Sequence, residues 1–172
     1  MKNAILLLLF VATAFVAKAQ LTFKVEKVDA SSVPQTVLSA QEQFFPGITV
    51  NIWEKQMATA KDKSGDRYVA NFQKDDQKTR ARYYNNGKGI TATSYYLAKE
   101  LPQEIQNAAA ANYPGYTLTS GEQIMWLAQS KSLYRIRLRK GAQKLVVYVD
   151  ANGKEINRDD VPSEATEDEA AS

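Results

Sequence analysis

The stretch "VPQTVLSAQEQFFPGIT", residues 33–49, returns in altered form as "LPQEIQNAAAANYPGYT", residues 101–117. At an offset of 68 the pairs are Pro34 and Pro102, Gln35 and Gln103, Val37 and Ile105, Ala40 and Ala108, Phe45 and Tyr113, Pro46 and Pro114, and Gly47 and Gly115. After a two-residue gap the correspondence resumes at an offset of 66, from Tyr68 and Tyr134 to Asn86 and Asn152, Gly87 and Gly153, and Ile90 and Ile156. So ordered a series predicts tandem copies of one structural unit, at 31–98 and 99–157, and any fold for this chain must accommodate both.

Each copy opens as a helix. Pro34 and Pro102 sit where a first helical turn accepts proline, and Ser31 or Ser32 offers a cap for the first. Val37, Ala40, Phe44 and Phe45 recur at helical spacing, as do Ile105, Ala108, Ala109 and Tyr113, and Pro-Gly ends both stretches. The period then drops to two, which predicts strands near 48–57, 66–74, 77–85 and 89–96, and again near 116–127, 132–140, 143–150 and 154–157. Short turns join them, with Asn-Gly in "NNGKG" (85–89) and "ANGK" (151–154) supplying positive φ angles. A leading strand is expected within 20–30, where Leu21, Phe23 and Val25 alternate with polar residues. The class is therefore α+β: two tandem units of one helix and four antiparallel strands, in two layers, with the helices on one sheet face and the other face left open.

The first 19 residues carry Lys2, an apolar run from Ala4 to about Val16, and small residues at Ala17 and Ala19. That is the layout of a signal peptide cleaved after Ala19, and it directs the mature chain to the periplasm or beyond. The run is shorter than the roughly 20 residues that span a bilayer, and no later apolar stretch is long enough, so no membrane span is expected. Six acids against Arg158 in 157–172 give −5, leaving 19 basic and 13 acidic residues, +6, between Gln20 and Ile156. Residues 158–172 read as a disordered acidic tail.

Cysteine and histidine are both absent. Disulfides, thiolate nucleophiles, histidine-based triads and His-rich zinc sites are thereby excluded. Glu54 and Glu122 occupy matching places and could in principle act as paired carboxylates, but exposed strand charges explain them more simply. "DKSGD" (62–66) and "DANGKE" (150–155) lack the ligand spacing of a calcium loop, and "GKGIT" (87–91) lacks that of a phosphate loop. The chain is expected to be no enzyme and to hold no cofactor or metal.

One stretch points to binding. In "LYRIRLRK" (133–140) Tyr134, Ile136 and Leu138 alternate with Arg135, Arg137 and Arg139, which as a strand places the three arginines together on the open side. Arg80 and Arg82 align with Val146 and Tyr148, so Arg80, Arg82, Tyr84 and Tyr148 join the same face. Arginine and tyrosine are over-represented at binding hot spots, and arginine suits anionic ligands. Trp53 and Trp126 read as core residues.

A leader followed by two runs of [VL]-P-x-x-[VI]-x-x-A-x-x-x-[FY]-P-G, each closed by strands and an N-G-K turn, resembles the PepSY-like proteins with a β-lactamase-inhibitor-like fold. The resemblance covers 31–157, through "VPQTVLSAQEQFFPG" with "YNNGKGI" and "LPQEIQNAAAANYPG" with "VDANGKEI". It implies tandem helix-plus-sheet units, export, and a non-catalytic binding or inhibitory role. It carries no site residues over. The expectation is a binding module for an unidentified protein of the cell envelope, with an anionic polymer as the alternative ligand.

Overall fold

The computed structural model describes residues 24–58 and 65–166; the expected leader, most of "DKSGD" (62–66) and residues 167–172 lie outside them. In chain order the elements are β1 (Lys24–Val28), α1 (Gln35–Phe44), β2 (Val50–Met57), β3 (Arg67–Lys74), β4 (Gln77–Tyr84), β5 (Gly89–Leu97), α2 (Gln103–Asn112), β6 (Thr117–Trp126), β7 (Lys131–Lys140), β8 (Gln143–Val149), β9 (Glu155–Ile156) and α3 (Ser163–Thr166). The nine strands form one antiparallel sheet in which every strand neighbours its successor, β1 through β9.

Both long helices begin in the same way. Pro34 and Pro102 are not inside the first turn but just ahead of it, with ψ near 140° and 144°, and their carbonyls accept from the amides of Val37 and Leu38 and of Ile105 and Gln106. A proline is suited to this place because its fixed φ and missing N–H cost nothing where the helical ladder has not begun. Ser31 and Ser32 do not cap α1; they lie in a 3₁₀ turn, Ala30–Ser32, that precedes the proline, as Ala98–Glu100 precedes Pro102. Gly47 and Gly115 follow the helices at φ of 71° and 81°.

The two helices cover one sheet face. Val37, Ala40 and Phe45 pack with Tyr68, Phe72, Ala81 and Tyr83, while Ile105 and Ala109 pack with Tyr134, Ile136, Leu138, Val147 and Val149. Val37 and Ile105 are fully buried, worth about 1.5–3 kcal/mol each as apolar burial. The Asn-Gly turns lock onto these helices: a Cβ on Gly87 would come within 2.5 Å of the Thr36 carbonyl oxygen, and one on Gly153 within 2.3 Å of the Ala108 Cβ. "DANGKE" is a turn, with the Asp150 carboxylate accepting from the amides of Asn152 and Lys154.

The sheet's far face departs from expectation. Residues 158–166 are not a disordered tail: Arg158–Asp160 form a 3₁₀ turn and Ser163–Thr166 a short helix, α3. Val161 and Ala165 are 8% and 1% exposed and pack against Ile124, Leu133 and Tyr148, with Trp126 and Ile156 at the margin. The far face is thus covered at its middle, and a third apolar cluster holds the cover in place.

Candidate functional site

Alternation along β4, β7 and β8 puts all seven residues expected on the far face there: Val69 pairs with Arg82, Arg67 with Tyr84, and Arg135 with Tyr148, on registers that carry Arg80, Arg137 and Arg139 to the same side. They do not form one open surface. Arg82, Arg135 and Tyr148 are 3%, 1% and 2% exposed. Arg82 donates through Nε and Nη2 to the Thr91 hydroxyl, at 3.0 and 2.8 Å, and to the Glu164 carbonyl. Arg135 donates through Nη1 to the Ala165 carbonyl at 3.4 Å. Carbonyls in the last turn of a helix accept from outside groups, and here two guanidinium groups from the sheet supply donors to them.

Arg135 is neutralised by Glu122. Its Nε lies 2.6 Å from Glu122 Oε2, Nη2 contacts the same oxygen, and Arg137 Nη1 lies 2.7 Å from Oε1, so one buried carboxylate serves two arginines. Burial works to lower the Arg135 pKa, but the Glu122 charge and hydrogen bond, followed by a hydrogen bond with Tyr148, hold it above its usual value. In the first half Glu54 meets Arg80 at 3.4 Å, with both side chains partly in solvent. Three strands, β3 to β5, separate Glu54 from Glu122, about 19 Å at the usual strand spacing. That is too far for the acid–base pair of a glycosidase, whose carboxyls stand within about 10 Å.

Of the expected residues, Arg137 and Arg139 stay accessible together, beside β7 and β8. A groove of about 580 Å³ is lined by Thr119, Arg135, Arg137, Arg139, Lys144, Val146 and Arg158, among others. Arg137 is about one-third exposed; Arg139 is exposed and donates to the Gly141 carbonyl at 2.9 Å. Val146 is 39% exposed on the groove floor. Arginine keeps its charge at any physiological pH, so the groove offers fixed cations and fork-shaped donors around an apolar patch, a setting for carboxylate or phosphate groups and not for proton transfer. Tyr84 lies away from it, half-buried, with the Arg67 guanidinium 5.8 Å from its ring centroid. A second hollow of about 430 Å³ beside Ile52, Asn71, Lys78, Arg80 and Tyr95 is mainly apolar. Trp53 is a core residue, as expected, while Trp126 is half-buried beside the α3 cluster. Among the described residues no group of acids could hold a metal ion, and no helix is long and apolar enough to cross a membrane.

Sequence reasoning missed Arg158 and the docking of α3. The signal was present: "VPSEA" at 161–165 repeats the opening of "VPQTV" and "LPQEI". The Ala165 amide donates to the Pro162 carbonyl at 3.0 Å, as Val37 does to Pro34 and Ile105 to Pro102. The same word starts a helix three times, and on the third occasion the helix lands on the opposite face.

No family model matches the sequence, and no curated protein matches it. Solved structures do. A BLIP-like protein from Bacteroides fragilis superposes with a TM-score of 0.58 at 17% identity, over 75% of this chain and 92% of that one. A DUF2874 family protein from Bacteroides uniformis gives 0.56 at 19% identity, over 72% and 86%. A protein from Bacteroides eggerthii, provisionally described as periplasmic, gives 0.53 at 19%, over 73% and 86%. The sheet, its two covering helices and their order along the chain are thus those of a fold that this chain shares with the BLIP-like and DUF2874 proteins.

Proposed function

We propose that the chain is an exported, non-catalytic binding module that engages a protein partner through the basic groove beside β7 and β8. The observation that carries this reading is the gathering of Arg137, Arg139, Lys144 and Arg158 around the exposed Val146, a combination of charge and apolar surface typical of interface anchors. A non-catalytic role is supported by the fate of Glu122, whose carboxylate is taken up by two arginines. The leader before Gln20 and the likeness to the B. eggerthii protein support a periplasmic site of action. The likeness to a BLIP-like protein makes inhibition of an enzyme the finer form of the reading. The two halves, α1–β5 and α2–β9, are taken as copies of one unit, which the matched helix entries and turns support.

The test is the double substitution Arg139→Glu with Lys144→Glu, both at exposed positions, in the chain from residue 20 onward. Envelope proteins retained by the immobilised parent should be lost from this variant; unchanged retention would remove the groove as the binding surface. The charge of the groove also favours a second reading, an anionic polysaccharide. That reading requires affinity for a sulfated polymer such as heparin to fall steeply with salt as counterions are displaced.

A further inference from the structure

The last strand of the second half is short, and among the described residues no strand pairs with the rest of the outer edge of β8. At the offset of 66, Ala98, where the chain leaves β5 for a 3₁₀ turn, corresponds to position 164; the matching turn begins at Arg158, six residues sooner (164 − 158). β5 accordingly has nine residues and pairs with β4 from Tyr83 to Thr79, whereas β9 has two and pairs only with Tyr148 and Val149. Beyond their inner partners Asn71 and Arg137, Arg80 has Thr93 on its other side, whereas its counterpart Val146 has no strand partner there among the described residues.

The backbone polarity of that edge follows from the hairpin. Lys140 and Gln143 close a two-residue turn at Gly141, so the pairs 140–143, 138–145 and 136–147 exchange hydrogen bonds, and the residues between them turn their N–H and C=O groups away from β7. Lys144 and Val146 therefore present two donors and two acceptors outward, in line with Tyr148, whose outward neighbour is Ile156. Their side chains are exposed and point to the basic groove, with Leu145 between them on the helix side.

We infer that β8 is a docking edge for an extended acidic segment of a partner protein, which adds a strand where β9 stops short. Its backbone would satisfy Lys144 and Val146, its far-face side chains would stand beside Lys144, Arg137, Arg139 and Arg158, and its alternate side chains would meet Leu145. An alternation of carboxylates and apolar residues fits both sides. A second copy of this chain fits poorly at the same edge, because pairing β8 with β8 would set Lys144 and the groove arginines against their equivalents. The inference goes beyond the groove-binding reading by naming backbone pairing as the mode of recognition.

The probe is a capped seven-residue peptide of alternating glutamate and valine, added to the ¹⁵N-labelled chain from residue 20 onward. Its binding should shift and protect the amides of Lys144 and Val146 and leave those of β1, at the opposite sheet edge, unchanged. Methylating every peptide nitrogen keeps the charge and removes the donors, and should weaken binding about tenfold or more, the equivalent of one or two hydrogen bonds. Val146→Pro, which deletes one outward donor on an edge strand, should do the same. Where that variant loses its near-UV circular dichroism, the methylated peptide decides alone. The inference is overturned by equal affinity of the methylated peptide, by failure of the acidic peptide to bind, by shifts at β1, or by equal binding of a control peptide in which lysine replaces every glutamate. Should Arg139→Glu with Lys144→Glu weaken the acidic peptide while methylation does not, the groove reading stands and strand addition falls; should neither matter, both fall.

Discussion

The two halves of the sheet agree on the side the helices cover and disagree on the other. On the helix side, proline entry, apolar stripe, Pro-Gly exit and a glycine turn against the helix recur with the same geometry. On the far side, the first half carries a partly exposed Glu54–Arg80 pair and a complete β5, while the second buries Glu122 between Arg135 and Arg137 under α3 and stops at a two-residue β9. The shared residues build the scaffold, and the unshared ones decide which part of the sheet stays reachable.

The contrast between the two glutamates is the place to break this comparison hardest. Glu122→Gln leaves the Arg135 guanidinium buried without a counter-charge, and removal of one partner from such a pair costs about 3–5 kcal/mol. Glu54→Gln, at the same place in the first half, should cost about 1 kcal/mol or less, because both members are partly solvated. Urea midpoints of the two variants measure the difference; equal costs would mean that the far faces of the halves are energetically alike.

Next in size are the turn glycines. Gly87 and Gly153 have φ of 84° and 79°, and each would drive a Cβ into its helix. Alanine at either should cost about 2–4 kcal/mol, adding positive-φ strain to overpacking. Gly47, at φ 71° but with open space around it, isolates the first contribution, and Gly47→Ala should cost about 1 kcal/mol. A Gly153→Ala cost as small as that of Gly47→Ala would show that the turn in the second half does not bear on α2.

These features also mark how far the sequence could be read. Strand ends and turns were legible because period-two alternation and Asn-Gly are local signals; Arg67–Lys74 and Gln77–Tyr84 lie within a residue or so of where alternation put them. The face of Arg82, Arg135 and Tyr148 was legible for the same reason, but their burial was not. Alternation tells which side a residue takes and says nothing of what lies over that side, and the cover here comes from Val161 and Ala165, in a segment whose acids suggested disorder. The helix entry in "VPSEA" was the available clue, outweighed by net charge. That Lys144 and Val146 lack an outer strand among the described residues was hidden for a further reason: only pairing shows that β9 ends after Ile156.

A smaller contrast sits in the core beneath the helices. The Tyr83 hydroxyl donates to Gln41 Oε1 at 2.7 Å, where the second half places Val149 and Ala109. Both residues of the polar pair are buried, and burial drives the Tyr83 pKa far above the ordinary phenol value. Tyr83→Phe strands the Gln41 side chain, whose Nε2 already has no partner among the described residues, and should cost about 1–3 kcal/mol. Adding Gln41→Met removes the second partner while keeping its volume, and should recover most of that loss. Failure of the double variant to recover, by thermal midpoint, would show that the pair orients α1 and is not merely a satisfied polar contact.

The smallest effect concerns the aromatic that ends each long helix. Phe45 in the first half is buried against Phe72, with ring centroids 4.8 Å apart, while Tyr113 in the second reaches past the core to donate to the Glu155 carboxylate. Burial, and then the hydrogen bond and charge of Glu155, push the Tyr113 pKa up to about 12. A phenol that is harder to ionise in the folded chain stabilises it fully below the unfolded value of about 10, and that contribution is lost as pH rises from there through 12. Glu155→Gln keeps an acceptor and removes the charge, so the titration should move down towards 10 yet remain above it, since burial persists. The chemical shift of ring carbon ζ in selectively labelled Tyr113 follows this directly. A titration left at about 12 would assign the whole shift to burial; Tyr113→Phe, which writes the first half's residue into the second, removes the ionisable group, so the part of the stability loss between about pH 10 and 12 that Tyr113 contributes should vanish from the urea midpoints.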